Sequence, residues 1–131
     1  MKKSILSLLL IISLTSCSTL LNILPSAWDS NQAKVITDIR QKTIQINCKK
    51  DVAILKANLN SLHNKVEWLN LYSESKRTND VLQMTSIYNE TLNDMIKRIE
   101  TKGISNSYCE NKKSILVEQS SMISKGIQSR N

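Results

Sequence analysis

Two glycines, one proline and no phenylalanine occur in a chain of 131 residues. Pro25 stands early and Gly103 and Gly126 stand late, so Ser26 to Lys102 runs without a strong backbone breaker. That scarcity argues against a β-sandwich, whose short strands need turn residues roughly every 8–12 positions. It also leaves little scope for a strained catalytic turn. No Gly-rich phosphate loop, Gly-x-Ser-x-Gly or His-Glu-x-x-His pattern is present. The single histidine, His63, has Glu67 at i+4, an ordinary neighbour on a helix surface. A general base would need a nucleophile and an orienting carboxylate as well. The carboxylates are dispersed: Glu67 and Glu74 are two turns apart, and Glu90 and Asp94 are i, i+4 neighbours. No catalytic residue is assigned, an enzyme is the least expected class, and neither a cofactor nor a small-molecule substrate is implied.

What is present begins with an address. Met1-Lys2-Lys3 forms a positive n-region, and Ser4 to Leu14 an apolar segment too short to span a bilayer. Leu14-Thr15-Ser16-Cys17 follows. This resembles the lipobox of bacterial lipoproteins, and the resemblance covers the first 17 residues. It implies cleavage after Ser16, a thioether-linked diacylglycerol on Cys17 and, in a Gram-negative cell, a further acyl chain on its amine. One chain gives marginal membrane binding, whereas two or three hold firmly. In a Gram-negative host, Ser18, where an Asp would retain the protein at the inner membrane, implies the periplasmic face of the outer membrane. The expected organisation is a signal peptide over 1–16, a lipidated Cys17 with a membrane-proximal tether over 17–29, and a periplasmic helical bundle over 30–131. Leu20, Leu21, Ile23, Leu24 and Trp28 make the tether apolar. They suit either an interfacial segment with Trp28 at head-group depth or a tether packed on the bundle.

The formal net charge of +7 falls to +5 when Lys2 and Lys3 leave with the leader. The basic residues are scattered as pairs, Lys49-Lys50, Lys76-Arg77, Lys97-Arg98 and Lys112-Lys113, with no run of five. Such scatter reads as a solvated helical surface with a positive bias. Attraction to anionic head groups, wall polymers or nucleic acid is the sharper alternative. A nucleic-acid partner is not expected behind an export leader.

With Cys17 lipidated, Cys48 and Cys109 remain. In an oxidising compartment they are expected to form one disulfide; free buried thiols and an intermolecular pair are the alternatives. Closing that loop would stabilise the fold by about 4 kcal/mol on the chain-entropy model. Two cysteines and one histidine do not make a zinc site, and no metal is expected.

Apolar spacing predicts four helical segments. The first runs from about Ser30 to Ile46, capped by Asp29, Ser30 or Asn31, with Val35, Ile36, Ile39, Thr43 and Ile46 in one stripe. In the second, Val52, Leu55, Leu59, Leu62, Val66 and Leu69 follow the 3-4 alternation of a coiled-coil a/d seam. The third starts at Thr78-Asn79-Asp80, presents Val81, Met84, Tyr88, Leu92, Met95 and Ile99, and ends at Gly103. The fourth is predicted to start at Ser107 with a Ser107/Glu110 capping box, carrying Cys109, Leu116 and Ile123 at intervals of seven, beside Ile115, Met122 and Ile127. An antiparallel order puts the starts of the second and fourth helices, and so Cys48 and Cys109, at one end. The expected fold is therefore all-α: a three- to four-helix antiparallel bundle closed by one disulfide. The first two stripes fall out of register near Asn47, so a break or kink is expected there. The first helix then either packs as a fourth member or extends the second.

Trp68 and Tyr72 are i, i+4 neighbours next to Leu69, and suit either a partner-binding patch or a second packed apolar face. The stretches Trp68 to Lys76, Asn79-Asp80-Val81 and Tyr108 to Lys113 are similar to segments of small lipoproteins of tailed phages. That resemblance implies no catalytic residues. Such lipoproteins include outer-membrane spanins, which pair with an inner-membrane partner at lysis, and superinfection-exclusion proteins. The chain departs from the usual spanin in having a single Pro. It is also similar to the major murein lipoprotein in being helical and lipidated, but Arg130-Asn131 offers no terminal Lys for wall attachment. The expected function is that of a non-catalytic, lipid-anchored envelope protein. Its expected partner is another envelope protein, or a second copy through the Val52–Leu69 seam. A spanin-type subunit, marked by an adjacent gene for an inner-membrane helical protein, and an exclusion or host-inhibitor lipoprotein are the alternatives.

Overall fold

The computed structural model describes residues 25–130. The expected signal peptide over 1–16, the expected lipidation site Cys17 and the expected tether as far as Leu24 lie outside those residues. The described chain forms four helices: α1 (Ser30–Ile44), α2 (Val52–Lys76), α3 (Asn79–Lys102) and α4 (Asn106–Gln128). No strand occurs among the described residues. Each helix packs on two others in a closed ring, α1 on α2, α2 on α3, α3 on α4 and α4 on α1. The course is up, down, up, down. At 1.5 Å per residue, the 25 residues of α2 give the bundle a length of about 37 Å.

Local chemistry sets the helix ends. Asp29 accepts hydrogen bonds from the Asn31 and Gln32 amides and caps α1. Asp51 accepts from the Ala53 amide and caps α2. α2 stops where Arg77 adopts a left-handed conformation, φ 57°, and the Arg77 and Thr78 amides donate to the Glu74 and Ser73 carbonyls. The expected start of α4 is corrected by two residues. Ser105, not Ser107, is the cap, its Oγ accepting from the Tyr108 amide at 3.2 Å. The earlier start places Ser107 inside the first turn, where it cannot cap, and the Ser107/Glu110 box does not form.

Between α1 and α2 the chain breaks as the register shift near Asn47 requires. The Asn47 side chain accepts from the Lys49 amide and its carbonyl from the Lys50 amide, which turns the chain back on itself. α1 is thus the fourth member of the bundle and not an extension of α2.

The core is the predicted set of stripes with one shift along α2. Leu55, Leu59, Leu62, Val66 and Leu69 are all at most 1% exposed, and Ser73 continues their line. Val52, the first residue of the helix, is 49% exposed at the end of the bundle. The seam is therefore buried inside the protein's own core, which removes it as a face for a second copy. Val81, Tyr88, Leu92, Met95 and Ile99 of α3 and Cys109, Leu116, Ile123 and Ile127 of α4 complete the interior with Ile36, Ile39 and Ile46. Met84 is half-buried, and Ile115 and Met122 are exposed. Cys48 and Cys109 are joined in a disulfide with Cα atoms 5.7 Å apart, as the antiparallel order predicts.

Polar residues are threaded through this interior. Gln32 is fully buried, and its Nε2 donates to Ser73 Oγ at 3.1 Å and Thr78 Oγ1 at 2.7 Å. One amide thus ties α1 to the α2–α3 turn. Lower down, the hydroxyls of Thr43 and Tyr88 meet at 2.7 Å between α1 and α3.

Candidate functional site

The start of α1, the α2–α3 turn and the end of α4 converge at one end of the bundle, and the chain arrives there from the direction of Cys17. Ser26 is fixed at this end. Its amide donates to Asp80 Oδ2 at 3.1 Å and its hydroxyl to Asp80 Oδ1 at 2.7 Å. Arg130 closes the cluster, with Nη1 donating to Ser26 Oγ at 2.7 Å and Nη2 paired with Asp80. The Arg130 side chain is only 7% exposed. Burial pushes the Asp80 carboxyl up, but the two bonds from Ser26 and the Arg130 charge outweigh it and hold the group below its ordinary value. Residues on the two sides of the cluster are 104 positions apart in sequence. The clasp was not foreseen from the sequence; Asp80 was read only as one of the cap candidates Thr78-Asn79-Asp80 at the start of the third helix. Trp28 lies between the clasp and the cap of α1 and is 43% exposed.

A second feature lies on the outer face of α2. Trp68 and Tyr72 stack with centroids 5.0 Å apart and planes 10° from parallel, and the Lys76 ammonium lies 5.5 Å from the Tyr72 centroid. The Tyr72 hydroxyl donates to Asp29 Oδ2 and accepts from Asn31 Nδ2, so this ring is tied to the start of α1. Trp68 is 46% exposed. It borders a recess of about 670 Å³ whose walls include Val35, Ala57, Asn64 and Lys65. The two residues therefore divide the alternatives: Tyr72 is structural, and Trp68 presents an open aromatic face.

His63 Nε2 lies 3.8 Å from Glu67 Oε1, and that same oxygen accepts from Asn89 Nδ2 on α3 at 3.0 Å. Glu67 thus bridges α2 to α3. Among the described residues no group of His, Cys, Asp and Glu is placed to hold a metal ion. No described helix is long and apolar enough to cross a membrane.

The opposite end carries the disulfide, the α1–α2 connection, the end of α3 and the start of α4. Arg98 and Lys112 lie against the Tyr108 ring, 5.2 and 5.8 Å from its centroid. Lys42, Gln45, Ile46, Lys50 and Asn58 line a recess of about 320 Å³.

No family model matches the chain, nor does any curated protein or solved structure.

Proposed function

We propose that this chain is a non-catalytic, lipid-anchored envelope protein that works by holding a rigid helical bundle at a membrane and presenting it to another protein. The observation that carries the proposal is the clasp of Ser26, Asp80 and Arg130. It fastens the segment leading from Cys17 to one end of the bundle, so that a lipid on Cys17 would hold the whole bundle from that end. An extended chain from Cys17 to Pro25 spans at most about 28 Å, which keeps that end close to the bilayer. The Cys48–Cys109 disulfide adds support, because such bonds persist in oxidising compartments outside the cytosol. Trp68 is the surface offered to a protein partner: an exposed aromatic ring held in place by stacking on a fixed tyrosine.

Intact mass of the protein purified from membranes tests the proposal. The expected mass is that of a chain beginning at Cys17 plus diacylglycerol and acyl chains, with Cys48 and Cys109 alkylated only after reduction. An unlipidated chain would overturn it.

A further inference from the structure

The net charge of the bundle sits almost entirely at its disulfide end. Residues 42–58 and 94–113, which build that end, hold nine Lys and Arg against four Asp and Glu. The rest of the described chain holds seven of each. The disulfide end is therefore at +5 and the rest of the described chain is neutral. Helix dipoles account for part of this: Lys97, Arg98 and Lys102 lie in the last turns of α3, where cations are favoured. They do not account for Lys49 and Lys50 ahead of α2, where the dipole opposes positive charge, or for Lys112 and Lys113, which lie beyond the first turn of α4. Among the described residues only Lys56 and Lys112 of this end stand in ion pairs, with Glu100 at 2.8 Å and Asp94 at 3.6 Å. Gathering unpaired like charges disfavours the compact state, and an anionic partner relieves that cost.

Apolar residues lie among these charges. Ile44, Val52 and Ile54 are 51%, 49% and 48% exposed, and they bracket Lys49 and Lys50 in the α1–α2 hairpin. Lysine with exposed aliphatic side chains is the composition of a surface that settles at a charged lipid interface. The charges are mainly lysines, which act as mobile point charges and suit a diffuse anionic surface better than one shaped carboxylate. The recess of about 320 Å³ between Lys42 and Lys50 suits a single phosphodiester head group.

We infer that the disulfide end of the bundle docks on an anionic phospholipid bilayer. Ile44, Val52 and Ile54 enter the head-group layer, and Lys42, Lys49 and Lys50 engage the phosphates. The clasped end, where the chain leads to Cys17, faces away from that surface. Combined with the proposed anchor, this gives a protein held by lipid at one end and by charge at the other, though the docking end does not depend on the anchor.

The test uses the full chain reconstituted into neutral phosphatidylcholine vesicles and mixed with a second, dye-marked population containing phosphatidylglycerol. Capture of the second population is expected at about 50 mM salt and should fall steeply by about 200 mM. Each lysine near an anionic surface contributes about fivefold in affinity, so Lys49→Gln/Lys50→Gln should weaken capture about 25-fold. Lys34→Gln/Lys125→Gln, which removes the same charge from exposed sites outside the basic end, should leave capture unchanged. No capture, equal capture of purely neutral vesicles, or equal loss in both variants would overturn the inference. If the protein fails to float with the neutral vesicles, the anchor proposal fails by itself. The free chain is then floated directly with phosphatidylglycerol vesicles, and the same pair of variants decides the docking end.

Discussion

The hydroxyl pair of Tyr88 and Thr43 predicts an asymmetric double-mutant cycle. Tyr88 is 1% exposed, and its oxygen lies 2.7 Å from Thr43 Oγ1. Thr43 Oγ1 is also 2.7 Å from the Ile39 carbonyl, which can only accept. The single threonine proton is thus committed to Ile39, and Tyr88 must be the donor to Thr43. Tyr88→Phe removes the donor and leaves Thr43 still bonded, so it should cost about 1 kcal/mol, the net value of one hydrogen bond. Thr43→Val keeps the shape but leaves a buried phenol without an acceptor, which should cost about 2–3 kcal/mol. The double variant has neither group and should cost about 1 kcal/mol, giving a coupling of about 2 kcal/mol. Urea unfolding followed by circular dichroism, with an unchanged m-value, measures all four corners. Additive losses, or a Thr43→Val cost below that of Tyr88→Phe, would refute the donor assignment. The pair also predicts a pH effect. Burial pushes the Tyr88 phenol well above its ordinary value of 10.0. The folded chain then holds a proton that the unfolded chain releases above pH 10, so stability falls as pH rises past that point. The advantage of the native protein over Tyr88→Phe should therefore shrink above pH 10, by up to about 1.4 kcal/mol per pH unit.

Three further outcomes follow from the same structure. Replacing Cys48 and Cys109 by Ser opens a loop with a sequence separation of 61 and should cost about 4 kcal/mol, read as a lower urea midpoint while the helical spectrum is retained. Leu59→Ala, at a fully buried seam position, should cost about 2–5 kcal/mol, whereas Val52→Ala at the exposed end of the same seam should stay within about 0.5 kcal/mol; equal losses would show that the seam runs through Val52 after all. Asp80→Asn should cost about 1–3 kcal/mol at neutral pH and speed hydrogen exchange at the Ser26 amide. Because the Asp80 carboxyl is held below its ordinary value of 3.8, its contribution is present above that pH and lost as pH falls through the depressed value, so variant and native protein should converge in acid.

Most of the bundle was legible because its interior follows a seven-residue rhythm. Leu55, Leu59, Leu62, Val66 and Leu69 announce themselves, and Asp29 stood among the cap candidates ahead of α1, whereas the Asp51 cap was not read. The pairing of Cys48 with Cys109 followed from the cysteine count in an oxidising compartment, and the antiparallel order agreed with it. Positions filled by polar residues were not legible. Gln32, Thr85, Ser120 and Ser124 are buried at stripe positions where apolar pattern-matching sees nothing. The Gln32 Nε2 bonds to Ser73 and Thr78, more than 40 positions away, and no local rule reports such a partner. The clasp was hidden for the same reason: Ser26, Asp80 and Arg130 belong to three distant stretches that only the closed ring brings together.

Charge shows the same limit in a form that bears on function. Along the chain, the basic pairs are spaced so widely that they read as an even, solvated bias. An antiparallel bundle maps the chain onto two ends, and everything near the α1–α2 and α3–α4 connections falls at one of them. Lys49-Lys50, Lys97-Arg98 and Lys112-Lys113 all lie near those connections, while Lys76-Arg77 alone lies at the α2–α3 turn. Three of the four pairs are thus folded onto the end farthest from the clasp, while acidic residues balance the rest of the described chain one for one. A positive bias set only by the need for a soluble surface would have no reason to sort by end, because solubility depends on total charge and not on which connection carries it. Sorting by end is what a directional contact requires.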